Sequence, residues 1–127
     1  MSELRMPVWQ FVRLMVQVEE SLKATRGKKP PGLQDLYDAW DDTWLELDQR
    51  LTELGKDDPD AFAELMMRQD VVLTNATPRR IKTAAVEIRK VMTAMRAALK
   101  KENDAQARED LSFEIEELED LLYDIED

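Results

Sequence analysis

The chain has neither cysteine nor histidine. Without cysteine there is no thiol nucleophile, no disulfide and no iron–sulfur ligand. Without histidine there is no imidazole for proton transfer near neutral pH and no histidine ligand for zinc or haem. Only three glycines occur in 127 residues, too few for a glycine-rich phosphate loop. Positive charge is the minority, with 18 Lys and Arg against 28 Asp and Glu and a formal net charge of −10. Such a surface repels phosphate backbones, so direct nucleic-acid binding is not favoured. Long apolar runs are missing as well. The most apolar stretch, Met6 to Val18, is interrupted by Gln10, Arg13 and Gln17 and falls short of the about 20 residues that span a bilayer. The first residues carry no basic segment leading into an apolar run and a small-residue cleavage site. These absences predict a cytoplasmic protein with no cofactor and no membrane association.

The composition, 43% hydrophobic and 36% charged, points to an ordered helical domain rather than disorder. A chain of this length makes one domain with a sizeable core. Five helical segments are expected. The first, Glu3 to Thr25, places Leu4, Val8, Phe11, Met15, Val18 and Leu22 on one face, with Trp9, Val12 and Val16 on an adjoining one. Gly27 and Pro30-Pro31 end it. The second, Leu33 to Leu54, carries Leu33, Leu36 or Tyr37, Trp40, Trp44, Leu47, Leu51 and Leu54 and stops at Gly55. Asp58-Pro59 and Thr77-Pro78 each read as a cap followed by a first-turn proline. They open a third helix to about Leu73 and a fourth from Pro78 to Lys101. Val71-Val72-Leu73 has β-branched character but no evident strand to join. Asn103 to Gln106 resembles a capping box and opens a fifth helix, 104–125, with Leu111, Ile115, Leu118, Leu122 and Ile125 in a heptad seam. The expected fold is all-α, a single antiparallel bundle of four or five helices.

Charge separates the last two helices. From Pro78 to Glu102 there are eight basic and two acidic residues; from Asn103 to Asp127 there are eleven acidic residues and one basic one, Arg108. A short connection then predicts a hairpin whose halves pair, Lys82, Arg89, Arg96 and Lys100 facing the acids of the fifth helix. Arg79, Arg80 and Lys82 oppose the dipole at the start of the fourth helix, so acidic neighbours are expected there, with the end of the fifth helix as candidate.

Paired carboxylates on helices are Mg²⁺ ligands in all-α nucleotide pyrophosphohydrolases. Glu19 and Glu20, Asp38, Asp41 and Asp42, and Glu116, Glu117 and Asp120 have suitable spacing. No accompanying substrate motif lies on these helices, and a solvated acidic face explains the spacing equally well. Trp40 and Trp44, with Tyr37 nearby, read as a core aromatic layer, and the seven methionines as gap-fillers or an adaptable partner groove.

The favoured function is therefore non-enzymatic: a protein–protein interaction module such as an adaptor, chaperone, assembly or inhibitory subunit. One specific form is an acidic phage or mobile-element inhibitor that covers a basic nucleic-acid-binding surface through Glu114, Glu116, Glu117, Glu119 and Asp120. The alternatives are the Mg²⁺-dependent pyrophosphohydrolase and a small helical subunit of a nucleoprotein complex. The expected partner is a protein, with a basic surface in the inhibitor form. Trp9, Val12 and Val16 form an apolar stripe that needs cover from the bundle, a partner or a second copy in a homodimer.

Overall fold

A computed structural model describes residues 3–25 and 31–126. The Arg26–Pro30 linker, with its expected stop at Gly27, lies outside the described residues. The order is β1 (Glu3–Pro7), α1 (Val8–Ala24), α2 (Pro31–Asp57), α3 (Pro59–Arg68), β2 (Asp70–Thr74), α4 (Pro78–Lys101) and α5 (Ala105–Glu126). The five helices make the all-α, bundle-like fold expected from periodicity, with a small antiparallel two-stranded sheet added.

The sheet corrects two helix boundaries. Glu3–Pro7 is a strand, not the first turn of α1, and the third helix stops at Arg68 rather than reaching Leu73. Leu4 pairs with Leu73 and Met6 with Val71, and all four side chains point into the core while Glu3, Arg5, Val72 and Thr74 point outward. This period-2 burial is what a strand over a hydrophobic core requires. Pro7 ends the strand and caps α1, where its missing N–H costs nothing. The Val8 N–H donates to Gln69 O at 2.9 Å, continuing the pairing into the helix start.

Proline caps are confirmed at two helices. Asp58 accepts from the Ala61 N–H at 3.1 Å and Thr77 Oγ1 from the Arg80 N–H at 3.3 Å. Asn75, at φ 58°, makes the left-handed turn out of β2, a conformation that asparagine tolerates better than most residues. At α5 the cap is Asp104, whose Oδ2 accepts from the Ala107 N–H at 2.9 Å, one residue beyond the expected Asn103. Gly55 does not stop α2. The Asp58 N–H still donates to Leu54 O at 2.8 Å, so the helix runs to Asp57 and Pro59 ends it. At the other end Pro31 is the first residue of α2, a position where proline is favoured, and Gly32 passes close to α4. An added Cβ at Gly32 would lie 2.6 Å from Thr83 Oγ1.

The core forms where α1 meets α2, α3 and α4. Phe11, Met15 and Val18 of α1 and Leu36 of α2 are fully buried. Phe11 meets Trp44 edge to face, centroids 6.2 Å apart, and Trp40 Nε1 donates to Thr74 O at 3.1 Å. The two tryptophans thus form the expected core layer, one of them fixed by a hydrogen bond to the sheet.

One buried polar network ties α1 to α4. Ser21 Oγ donates to Glu87 Oε1 at 2.5 Å, and Lys90 Nζ lies 2.8 Å from Glu87 Oε2 and 3.3 Å from Ser21 Oγ. Glu87 is 2% exposed, so its charge is held by these two partners rather than by water. Gln10 is also buried, and its Oε1 has no hydrogen-bond partner among the described residues.

Candidate functional site

An apolar groove of about 490 Å³ opens between α1, α3, α4 and α5. α1 contributes Trp9, Val12, Val16 and Gln17 to it, because positions 9, 12 and 16 recur at helical spacing on one side. Trp9 is buried, Val12 is half-buried and Val16 is 45% exposed. Of the covers expected for this stripe, the bundle itself supplies that of Trp9, and the stripe opens to solvent at Val16. α3 adds Met66 and Met67, the latter 57% exposed. α4 adds Val91, Met95 and the one-turn pair Ala94 and Ala98. Two alanines on one wall keep it low, which leaves the groove its depth.

Charge sits at the α5 edge. Arg13 Nη2 donates to Glu114 Oε1 and Oε2 at 3.3 and 3.2 Å, joining α1 to α5 beside Leu111. Glu114 is thus drawn into the groove's border and not onto a free acidic face. Glu119 pairs with Arg96 at 2.9 Å, and Glu126 with Arg89, across the α4–α5 hairpin. Intramolecular pairing across the hairpin was expected here, and it accounts for Glu119 and Glu126. Glu116 and Asp120 are exposed and Glu117 is half-buried, with no ion pair to any of the three among the described residues. Trp9, Val12, Val16 and Glu114 therefore share one site, whereas Glu116 and Asp120 lie on the outside of α5 with exposed Phe113 and Tyr123 at helical spacing.

The acidic neighbour at the start of α4 is Asp35 of α2, not the end of α5. Arg80 Nε and Nη2 donate to Asp35 at 2.9 and 3.2 Å, and Nη1 donates to Asn75 O at 2.8 Å. The Arg80 hydrogen bonds hold the Asp35 carboxyl below its ordinary range, and the same contact raises the guanidinium. Arg108, the one base of the last segment, donates to Leu99 O at 2.7 Å and Glu102 O at 2.9 Å. It closes the hairpin by satisfying carbonyls at the end of α4.

The carboxylates weighed for a metal do not converge. Tyr37 OH donates to Glu19 Oε2 at 3.4 Å, and burial first, then Glu19 and Asp41, raise its phenol. Among the described residues, no group of three acidic side chains is placed to hold one ion. No helix among them is long and apolar enough to cross a membrane.

The groove's far walls were missed at the level of sequence. Met66-Met67 was visible as a doublet, but nothing local indicated that Met67 would face solvent opposite Val16. Ala94 and Ala98 leave room beside α4, but that helix also carries Ala84, Ala85 and Ala97, so the pair did not stand out in the sequence. No protein-family model, curated protein or solved structure matches the chain.

Proposed function

We propose that the protein is a non-enzymatic protein–protein interaction module that holds a partner in the groove between α1, α3, α4 and α5. The observation that carries this reading is the groove itself. It is open and apolar, it is lined by three flexible methionines, and it displays Val16 and Met67 to solvent. A chain with −10 net charge gains little by leaving such a surface wet unless something covers it. Methionine lining suits a protein surface that adjusts to its ligand.

The test is affinity purification of the tagged chain from its native host, with mass spectrometry. Three forms are compared: wild type, Val16→Glu with Met67→Glu in the groove, and Leu45→Glu with Val72→Glu on exposed sites elsewhere. A protein retained by wild type and the second pair, and lost with the groove pair, supports the reading. Retention unaffected by the groove pair overturns it, as does Mg²⁺-dependent nucleotide hydrolysis abolished by Asp38→Asn with Asp41→Asn.

A second reading is the acidic inhibitor of a basic nucleic-acid-binding surface. It is favoured by Glu116 and Asp120, exposed on α5 between Phe113 and Tyr123 and without an ion partner among the described residues. Carboxylates there attract lysine and arginine, and aromatic faces add cation–π contacts. Changing Glu116 and Glu117 to Gln and Asp120 to Asn then weakens a salt-sensitive complex and leaves helicity intact. A complex indifferent to both the triple change and salt overturns this reading.

A further inference from the structure

Resting on the interaction-module reading, we propose that the groove seats one amphipathic helix of a partner protein, its apolar stripe flanked by lysine or arginine. Length is the first argument. The lining runs from Trp9 to Gln17 on α1 and from Val91 to Ala98 on α4, which is about two helical turns or roughly 11–12 Å. That is the span over which a docked helix presents anchors at i, i+3 or i+4 and i+7. The volume, about 490 Å³, is sufficient for a small cluster of such anchors and lies well inside the range of about 300–1,000 Å³ for ligand sites. Three methionines among the walls accept anchors of different shape.

Charge selects the kind of helix. Arg13, a cation of the lining, is already tied to Glu114. On α5, Asp110 and Glu117 stand four residues before and three after Glu114, on the same side of the helix. Asp110 is hydrogen-bonded only by the neutral Gln106 amide, at 3.0 Å, and Glu117 has no ion partner among the described residues. By helical spacing Asp110 and Glu117 extend an acidic edge along α5 on either side of the paired Arg13–Glu114, against one base, Lys101, three residues after Ala98 on α4. With the net charge of −10, a helix with basic flanks complements that edge. A second copy of this chain would bring net −10 against net −10 and set two acidic rims side by side. The charge balance thus favours a different, basic partner.

The experiment is fluorescence anisotropy with three labelled model helices of about 14 residues, roughly 21 Å. One is a leucine–lysine helix with leucines in a single stripe, one is the leucine–glutamate equivalent, and one is the leucine–lysine composition scrambled to destroy the stripe. Each is titrated with wild type, with Val16→Glu plus Met67→Glu, and with Leu45→Glu plus Val72→Glu; circular dichroism checks that all stay helical. The expected result is that the striped leucine–lysine helix binds wild type and the second pair alike. It should bind the groove pair at least about tenfold more weakly, although that variant is more negative. The leucine–glutamate and scrambled helices should bind wild type more weakly by a similar factor. Equal binding of scrambled and striped peptides, or of wild type and groove pair, shows diffuse charge attraction and overturns the proposal. Equal binding of the leucine–glutamate helix overturns the basic class while leaving the interaction-module reading in place. No binding by any of the three overturns the helix occupant, and the affinity purification above then decides the wider reading separately. A wild-type dimer in sedimentation that the groove pair converts to monomer gives the groove to a second copy and also overturns the proposal.

Discussion

The helices α1 and α5 are both amphipathic, yet different forces hold them. α1 is 17 residues long and buries Val8, Trp9, Phe11, Leu14, Met15 and Val18 against three other helices. α5 is longer, at 22 residues, and buries only Ile115, Leu118, Leu121 and Leu122, chiefly against α4. Its flanks are tied to α1 and α4 by ion pairs to Arg13, Arg96 and Arg89 as well. Apolar burial contributes about 1.5–3 kcal/mol per large side chain, whereas an exposed ion pair contributes about 0.2–1 kcal/mol. More of the apolar burial therefore lies in α1, while the solvent-facing side of α5 supplies surface chemistry that can change at small cost. The groove lies where these two regimes meet, with apolar walls from α1, α3 and α4 and a charged rim from α5.

The comparison breaks first at Phe11. It is fully buried and stacked edge to face on Trp44. Phe11→Ala should lower the unfolding free energy by about 3–5 kcal/mol, since a large cavity opens in a part of the core that cannot collapse around it. Urea denaturation followed by circular dichroism measures this. A loss below about 1 kcal/mol would mean that α1 is not the centre of the fold.

Next in size is the polar tie between α1 and α4. Lys90→Met removes the cation beside the buried Glu87 and leaves Ser21 as its one hydrogen-bond partner among the described residues. The expected loss is about 1–3 kcal/mol, the cost of an under-satisfied buried group. The further change Glu87→Met, made in that background, should recover part of it, because two apolar groups then replace a broken pair. A double variant less stable than Lys90→Met would show instead that Ser21 alone satisfies the carboxylate.

Much of this architecture was legible in the sequence, for physical reasons that also explain the omissions. Helix faces at spacings of three and four located the buried side of α2, α4 and α5, and the cap-then-proline pairs located two helix starts. The sheet was missed because Leu4 and Val8 also fit a helical face, so a five-residue strand vanished into the helix that follows it. Met6-Pro7 was the available signal: a residue before proline is pushed toward extended backbone. With that strand recognised, Val71-Val72-Leu73 would have had its partner. For the candidate site, Trp9, Val12 and Val16 were legible as a stripe on one helix. The opposing wall was not, because Met67, Ala94 and Leu111 come together only through the packing of three elements distant in sequence. Pair choice was also beyond the sequence. Eight bases and eleven acids predict pairing across the hairpin, but not that Glu114 turns to Arg13 of α1.

On α5 the comparison predicts small effects. Arg96 and Glu119 are each about half exposed, so Arg96→Ala should cost about 0.2–1 kcal/mol in low salt. Raising the salt to about 1 M, where the screening length is near 3 Å, should remove most of the difference from wild type. Parallel urea titrations at the two salt concentrations check this. A salt-independent loss would place Arg96 among the packing residues, through its aliphatic stem, and blur the division between the two helices.

The smallest expected effect is a change in pH dependence at the Asp35–Arg80 contact, which joins α2 to the start of α4. The guanidinium lowers the Asp35 carboxyl below its ordinary value of 3.8 in the folded chain, while the unfolded chain has no such partner. Between the two values the unfolded state binds more protons, so stability falls as pH drops through that interval. The stabilisation is complete above the unfolded value and is lost once pH passes below the folded one. Asp35→Asn removes the titration. Wild type should therefore be the more stable of the two near neutral pH, and the two stabilities should converge as pH falls below 3.8. Because the pair is solvent-facing, the difference should also shrink with salt. Thermal melts of both proteins across the acid range at two salt concentrations measure it. A gap that stays constant from neutral to acid pH would mean that Asp35 acts through its shape and hydrogen bonds rather than its charge, and the ion pair would then carry no part of the α2–α4 contact.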